Sequence, residues 1–184
     1  MQTVQELLES YKTGTLERIK VFKTVCNDEL KNPAWQPGAP DGNGRRTYPN
    51  GSPMTFCNMF VYTVLLRLGY NMDNYFTLNP YTSRPDKYWT AINTFYDACV
   101  KYGDEVTHLQ AQNFAKYGVP IVVIQRAQGA DVGHIGFVYP DDKIQDDKND
   151  IAIVNAGSKD VMGVHSAYDC FYKWGYDPHY FHIS

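Results

Sequence analysis

The order of patterned segments in this sequence predicts an α+β fold, with helices first and a mostly antiparallel sheet after them. Up to about residue 118 the apolar residues recur mainly at helical spacing, whereas short β-rich runs separated by turns follow. These strands do not alternate with helices, as they would in a parallel βαβ sheet. No internal repeat or linker divides the 184 residues, so we expect one domain.

Two amphipathic helices and a long loop are predicted in the first third of the chain. Apolar residues indicate one helix over 4–11, ended by Gly14, and a second over about 16–31, stopped by Pro33. The loop at 32–53 is rich in proline and glycine. A loop of this length in a compact chain is usually functional or disordered, and we expect it to form a wall of a cleft.

A short buried helix with a cysteine at its entrance is predicted over 55–70. Its apolar stripe comprises Phe60, Val61, Val64, Leu65 and Leu68. Gly69 stands where a helix stop belongs, and Thr55 can cap the start, which places Cys57 in the first turn. The free N–H groups and partial positive charge of a helix N-terminus favour a thiolate, the nucleophilic form of cysteine. The alternative is that Cys57 is a small buried apolar residue.

Helices are also predicted over 86–102 and from a capping box formed by Thr107 and Gln110 to Gly118. The strands that follow are predicted at 119–126, 134–139, 151–156, 161–165 and 179–183, with a short helix at 167–174. The acidic run 141–150 is read as a solvated loop.

Composition excludes several classes of protein. The net charge of −3 argues against a nucleic-acid binder, and no apolar run reaches the length of a membrane span. The N-terminus lacks the pattern of a signal peptide, so the protein stays inside, leaves by a route that needs no such signal, or has had a leader removed. Cys26, Cys99 and Cys170 fall in apolar-patterned segments and are read as packing residues rather than disulfide partners.

His134 is the candidate base for a cysteine nucleophile. It opens a strand after Gly133 and shares a face with Gly136, which leaves room for a helix end or a substrate. The alternative is a strand-edge histidine bonded to a turn.

Asn155 is the candidate orienting residue, because it ends the next predicted strand and its amide oxygen can fix one imidazole tautomer. The alternatives are that Asn155 is a turn residue and that Asp141 or Asp142 orients the histidine.

No metal site or cofactor is expected. The sequence holds no CxxC, HExxH, P-loop or GxGxxG motif, and the acidic loop lacks the glycine and terminal glutamate of an EF-hand. His179 and His182 would lie on opposite faces of a strand, which argues against a shared metal ion.

The order of these pieces resembles the papain-like peptidoglycan amidases, which include CHAP and NlpC-type cell-wall hydrolases and the amidase effectors of type VI secretion. The matching motifs are the Cys-x-x-Phe-Val helix start at 57–61 and the Gly-His-x-Gly-x-Val strand at 133–138, within a resemblance that covers about 55–183. The resemblance implies an α+β papain-like (NlpC-like) core, with the nucleophile at a helix N-terminus packed on the sheet. Residues 1–32 would then be a helical extension, 33–54 a cleft loop and 55–184 the core.

The resemblance also implies roles for individual residues. Cys57 would be the nucleophile, His134 the base and Asn155 the orienting residue. Many members have Asp or Gln before the cysteine and Ser after it, where this chain has Phe56 and Asn58, so the oxyanion donor is open. The candidates are the Cys57 N–H with Asn58, Asn50 or Tyr48.

The expected function is that of a cysteine amidase or endopeptidase that hydrolyses an amide bond of peptidoglycan stem peptides through an acyl-enzyme. The alternatives are acyl transfer to an amine by a transglutaminase-like enzyme on the same fold, and a non-catalytic binding module. The expected partners are the peptidoglycan peptide and an immunity or inhibitor protein, with no nucleic acid and a monomeric state. The expected place of action is the bacterial cell wall or periplasm, for a phage lysin, a secreted toxin or a housekeeping enzyme.

Overall fold

The computed structural model of the protein describes residues 14–39, 47, 56–75, 77–78, 88–89, 92–127, 133–157 and 162–183. Within these ranges the helices are α1 (Thr15–Leu30), α2 (Cys57–Arg67), α3 (Ile92–Tyr102), α4 (His108–Lys116) and α5 (Ala167–Cys170). The strands are β1 (Thr77–Leu78), β2 (Tyr88–Trp89), β3 (Asp104–Val106), β4 (Ile121–Gln125), β5 (His134–Val138), β6 (Ala152–Asn155), β7 (Gly163–Ser166) and β8 (His179–His182).

Six of these strands form one sheet in the order β3-β8-β4-β5-β6-β7, and every neighbouring pair is antiparallel. Strands β1 and β2 form a separate antiparallel pair. The α+β class and the antiparallel sheet predicted from the sequence are therefore confirmed.

Helices cover both faces of the six-stranded sheet. Helices α1, α2 and α3 share one core with Ile124, Ile135 and Phe137, whereas α4 and α5 share a second core with Val123 and Val138. Coverage of both faces explains why β4 is buried along its whole length and reads as a continuous apolar run instead of an alternating one.

Helix α1 is part of the main core. Phe22 of α1 and Phe60 of α2 both meet Phe137 of β5 edge to face, with ring centroids 5.7 and 6.1 Å away. The predicted helix at 16–31 is thus confirmed, and its contacts tie it to the strand that begins at His134.

A buried carboxylate joins α1 to α2. Glu29 is 6% exposed and accepts hydrogen bonds from Trp35 Nε1 (2.9 Å), Arg67 Nη1 (2.7 Å) and Asn32 Nδ2 (3.2 Å). Burial opposes ionisation, but these bonds together lower the pKa of Glu29 below its ordinary value. The network fixes the end of the cysteine helix that lies far from Cys57.

Several boundaries differ from the expectations. Gly14 has a φ of 73° at the start of α1, and the helix predicted over 4–11 lies outside the described residues. Tyr88 lies in β2 rather than in a helix, which begins only at Ile92. The edge strand β3 was not predicted at all.

Other expectations are met. Thr107 and Gln110 form the expected capping box, and α2 ends where Gly69 takes a φ of 87°. No helix among the described ranges is long and apolar enough to cross a membrane.

Candidate active site

Cys57 is the first residue of α2 and is 5% exposed. The residue before the helix is Phe56, whose side chain gives no capping hydrogen bond, and the predicted cap Thr55 lies outside the described residues. The first-turn N–H groups of Cys57 and Asn58 therefore point at the sulfur instead of being occupied by a cap. The helix entrance surrounds the thiol with backbone donors.

The Cys57 sulfur also faces the histidine strand, at the place where β5 and β6 separate. Phe137 and Val154 form the last registered pair of these strands toward His134. Tyr139 N–H donates to Ala152 O at 2.8 Å, and alternation turns the Ile135 N–H to the same side, beyond that last pair. This N–H lies close enough to the Cys57 sulfur to lower the pKa of the thiol. The thiol thus lies beside Ile135, on the face of the sheet that α2 covers. His134 alternates to the opposite face, with Val138 and Phe171. Among the described residues, no hydrogen bond joins the Cys57 sulfur to His134.

His134 and Asn155 are joined by a hydrogen bond across the same gap. His134 Nε2 lies 3.0 Å from Asn155 Oδ1. The ring is half-buried and lies 5.2 Å, centroid to centroid, from the ring of Phe171. The contact expected between these two residues from the strand order is present.

The amide of Asn155 determines the tautomer of His134. Asn155 is fully buried, and its Nδ2 donates to the sulfur of Cys170 at 3.3 Å. The amide oxygen therefore faces the imidazole and accepts a hydrogen bond from Nε2–H, which leaves Nδ1 as the basic nitrogen. Cys170, expected to be a packing residue only, also holds the orienting amide.

Glycine is required beside the imidazole. A Cβ at Gly157 would lie 2.7 Å from His134 Cε1 and 2.8 Å from Asn155 Oδ1, closer than any real contact. A Cβ at Gly136 would lie 2.7 Å from Val154 O. Gly157 could not be singled out from the sequence, because a glycine after a strand is ordinary in a turn.

Both reactive groups are neutral at rest. Burial raises the pKa of the Cys57 thiol to about 11, although the N–H groups of Ile135, Asn58 and Cys57 act in the opposite direction. Burial lowers the pKa of His134 to about 4, against the bond to Asn155, which raises it. The expectation that the helix end yields a thiolate is therefore wrong for this state, because desolvation outweighs three backbone donors.

The acidic alternatives to Asn155 are wrong. Strand β5 runs from His134 to Val138, about 13 Å at 3.3 Å per residue, and Asp141 and Asp142 follow that far end. Both are exposed, and Asp141 Oδ1 accepts from Lys143 N at 3.1 Å in a local turn.

Of the three side chains predicted as oxyanion donors, the structure describes only Asn58. Asn58 is 7% exposed next to the sulfur, whereas Tyr48 and Asn50 lie outside the described residues, as does most of the predicted cleft loop. The N–H groups of Cys57 and Asn58 already point to the sulfur, so they are the donors best placed for an oxyanion formed there.

The remaining histidines serve other contacts. His179 Nδ1 lies 2.6 Å from Glu105 Oε1, while His182 stacks on Phe114 on the opposite face of β8. No group of three or more His, Cys, Asp or Glu side chains in the described part of the chain could hold a metal ion. All four cysteines are free and buried.

Gln125 is a site residue that sequence reasoning missed. It pairs with His134 across β4 and β5 and is 4% exposed. Only the strand register reveals this neighbour, because a glutamine at a strand end carries no signal of its own.

Comparisons with known proteins add no family. No protein-family model matches the sequence, and no curated protein is detectably similar to it. An activity can therefore be inferred only from the geometry of these residues.

Proposed function

We propose that the protein is a papain-like cysteine hydrolase of the CHAP/NlpC type that cleaves an amide bond in the stem peptides of peptidoglycan. The observation that supports this proposal most is the His134 Nε2–Asn155 Oδ1 bond of 3.0 Å, one residue along β5 from the Ile135 N–H beside the Cys57 sulfur. A nucleophile, a base and a group that orients the base are what such a hydrolase needs.

In the proposed reaction the bound substrate brings the Cys57 sulfur and His134 Nδ1 within reach of each other. The sulfur then attacks the carbonyl carbon while its proton passes to that nitrogen. Asn155 accepts from Nε2–H and stabilises the imidazolium that forms. The tetrahedral intermediate collapses as His134 returns the proton to the leaving amine. Water, deprotonated by the same nitrogen, then hydrolyses the thioester and regenerates the thiol.

The neutral resting state has a consequence for this sequence of steps. With the thiol pKa near 11 and the imidazole pKa near 4, an ion pair is not formed in advance. Proton transfer and attack are therefore expected to occur together, so that negative charge passes directly from sulfur to the carbonyl oxygen. The N–H groups of Cys57 and Asn58 are the proposed donors to that oxygen.

One observation favours a second candidate, a non-catalytic binding module. Cys57 is nearly inaccessible and its thiol is protonated, which is how a structural cysteine behaves. Under this candidate the His134–Asn155 bond would only stabilise the strand ends.

The test is release of new amino termini from purified peptidoglycan by the wild-type protein, Cys57→Ala and Cys99→Ala. Cys99 is a matched control, since it is equally buried but lies in α3. Turnover should vanish in Cys57→Ala and persist in Cys99→Ala. Equal turnover in the wild type and Cys57→Ala would refute the proposed nucleophile, and no turnover by any of them would favour the binding module.

The proposed substrate determines where in the cell the protein would act. Peptidoglycan places the activity at the bacterial cell wall or periplasm, for a lysin, a secreted effector or a wall-maintenance enzyme. A toxic wall hydrolase also requires a protective immunity protein in its producer. Co-purification of such an inhibitor with the Cys57→Ala protein would test that partner.

A further inference from the structure

A cleft of about 430 Å³ opens beside the candidate active site. Its size is within the range of small-ligand sites. The lining residues that matter here are Tyr96, Gln125, Arg126, Tyr176, Asp177 and His179. They come from α3, the end of β4 and the start of β8, together with the loop before β8.

The cleft and the His134–Asn155 pair share one end of the sheet. Gln125 lines the cleft and pairs with His134 in the register of β4 and β5. Paired residues of antiparallel strands have Cα atoms about 5 Å apart and side chains on the same face. A peptide whose amide bond reaches His134 would therefore place a neighbouring residue in this cleft.

Among the charged residues that line the cleft, Arg126 has the weakest ion pair. Asp177 binds Lys148 Nζ at 2.9 Å, and His179 binds Glu105 at 2.6 Å. Arg126 makes only a longer contact of 3.4 Å with Asp97, and both of these side chains are about half exposed. Such an exposed pair contributes little, so an incoming carboxylate can replace Asp97 as the partner of Arg126.

The ring of Tyr96 helps to orient Arg126. Its guanidinium carbon lies 5.5 Å from the centroid of the Tyr96 ring, a cation–π arrangement. A guanidinium held in this way presents a planar set of donors that matches a carboxylate in two-point geometry.

One residue that lines the cleft, Gln125, has a buried acceptor without a partner among the described residues. Gln125 Nε2 donates to Arg126 O at 2.9 Å, but Gln125 Oε1 is buried and accepts no hydrogen bond within the described structure. A buried acceptor without a donor is costly, and an N–H group brought by a ligand would relieve that cost. A carboxylate partner and an N–H partner together describe an amino-acid residue of a peptide.

We propose that this cleft binds a carboxylate-bearing residue of the substrate peptide, next to the amide bond that is cut, and that Arg126 selects for the free carboxylate. This inference rests on the proposed function, because it assigns a subsite of the same reaction. Arg126 is a specificity residue in this assignment and takes no part in the bond cleavage.

The test is calorimetric binding to the Cys57→Ala protein, which cannot turn the ligand over. The probes are a synthetic stem tetrapeptide with free carboxylates and the same peptide with those carboxylates amidated. The Cys57→Ala protein should bind the free acid about tenfold more tightly than the amide, the effect of one charge-assisted hydrogen bond at a half-exposed site.

Two further variants make the test specific. Arg126→Gln in the same background should remove the preference for the acid and leave amide binding unchanged, whereas Lys116→Gln, which removes an equal charge at the exposed end of α4, should preserve the preference. Thermal unfolding of both variants checks that they fold. A preference that survives Arg126→Gln, or Cys57→Ala protein that binds neither peptide, would overturn the inference. If the wild type cuts no peptide but the preference depends on Arg126, the subsite stands and the proposed function falls.

Discussion

Cys57 is expected to be alkylated slowly at neutral pH, because the thiolate is the reactive form and burial disfavours it. With a thiol pKa of about 11, roughly one molecule in 3,000 carries the thiolate at pH 7.5, against about one in 30 for the ordinary value of 9.0. The rate of reaction with iodoacetamide should therefore be about a hundredfold lower than for an unperturbed thiol, before steric shielding is considered.

The assay follows modification of the Cys57 peptide by mass spectrometry between pH 6 and 10, in the native protein and in denaturing urea. Native alkylation should rise about tenfold for each pH unit over the whole range, since the range lies below the thiol pKa. Unfolding should abolish the protection. Cys99, which is also fully buried, provides the internal reference for a thiol that only packs.

Rapid native alkylation at pH 6, with a rate that no longer rises with pH, would refute this reasoning. Such a result would mean that the Ile135, Asn58 and Cys57 N–H groups outweigh desolvation and hold a thiolate at rest. The reaction would then begin from a preformed ion pair with His134 instead of coupled proton transfer.

Four other predictions follow from the site. Asn155→Ala should lower kcat about tenfold with little change in KM, because it removes one hydrogen bond to the base. Asp141→Ala should leave both constants unchanged. A folded Asn155→Ala protein with full activity would mean that Asn155 is only a turn residue. Gly157→Ala should cut turnover by displacing the imidazole, and unchanged turnover would contradict the contact of 2.7 Å. Because the pKa of His134 is lowered from 6.5 to about 4, it contributes about 3 kcal/mol to the free energy of unfolding above about pH 6.5, and this contribution is lost as the pH falls to about 4. In urea unfolding, His134→Gln should therefore lose less stability than the wild type between about pH 6.5 and about pH 4. Equal losses in the two proteins would count against this prediction. Hydrolysis of peptidoglycan should survive EDTA, since the proposed steps use no metal, and loss that zinc restores would disprove this.

The positions of the three candidate residues, and the contact between His134 and Asn155, could be predicted from the sequence because each residue lies at a boundary of a strongly patterned element. Cys57 begins an apolar helix, His134 begins a β-rich run and Asn155 ends the next one. Antiparallel order then brings the two strand ends together. The protonation of Cys57 could not be predicted in this way, because desolvation depends on how many distant residues cover the sulfur.

The residues around the three candidates could not be predicted from the sequence, because their positions depend on contacts between distant segments. Gln125 is a neighbour of His134 because of the register of β4 and β5, and Gly157 is required because the His134 ring packs against it. The local sequence pattern indicates neither contact. Tyr88 continues the helical spacing of Ile92, yet pairing with β1 places it in a strand. Strand β3 is three residues long and has no alternation, so only its pairing with β8 reveals it.

Because β8 lies between β3 and β4, the six-stranded sheet cannot be completed until the last strand has been synthesised. Strands β5, β6 and β7 each pair with the strand made just before, so the His134–Asn155 contact can form while translation continues. β8 comes last of the six and must enter between two strands made much earlier, which leaves the edge of β4 open until then. His179 joins the cleft only at that moment. A ribosome-bound chain that lacks β8 would thus hold the histidine–asparagine pair but not the complete cleft, so the proposed activity would begin only after the strand is inserted.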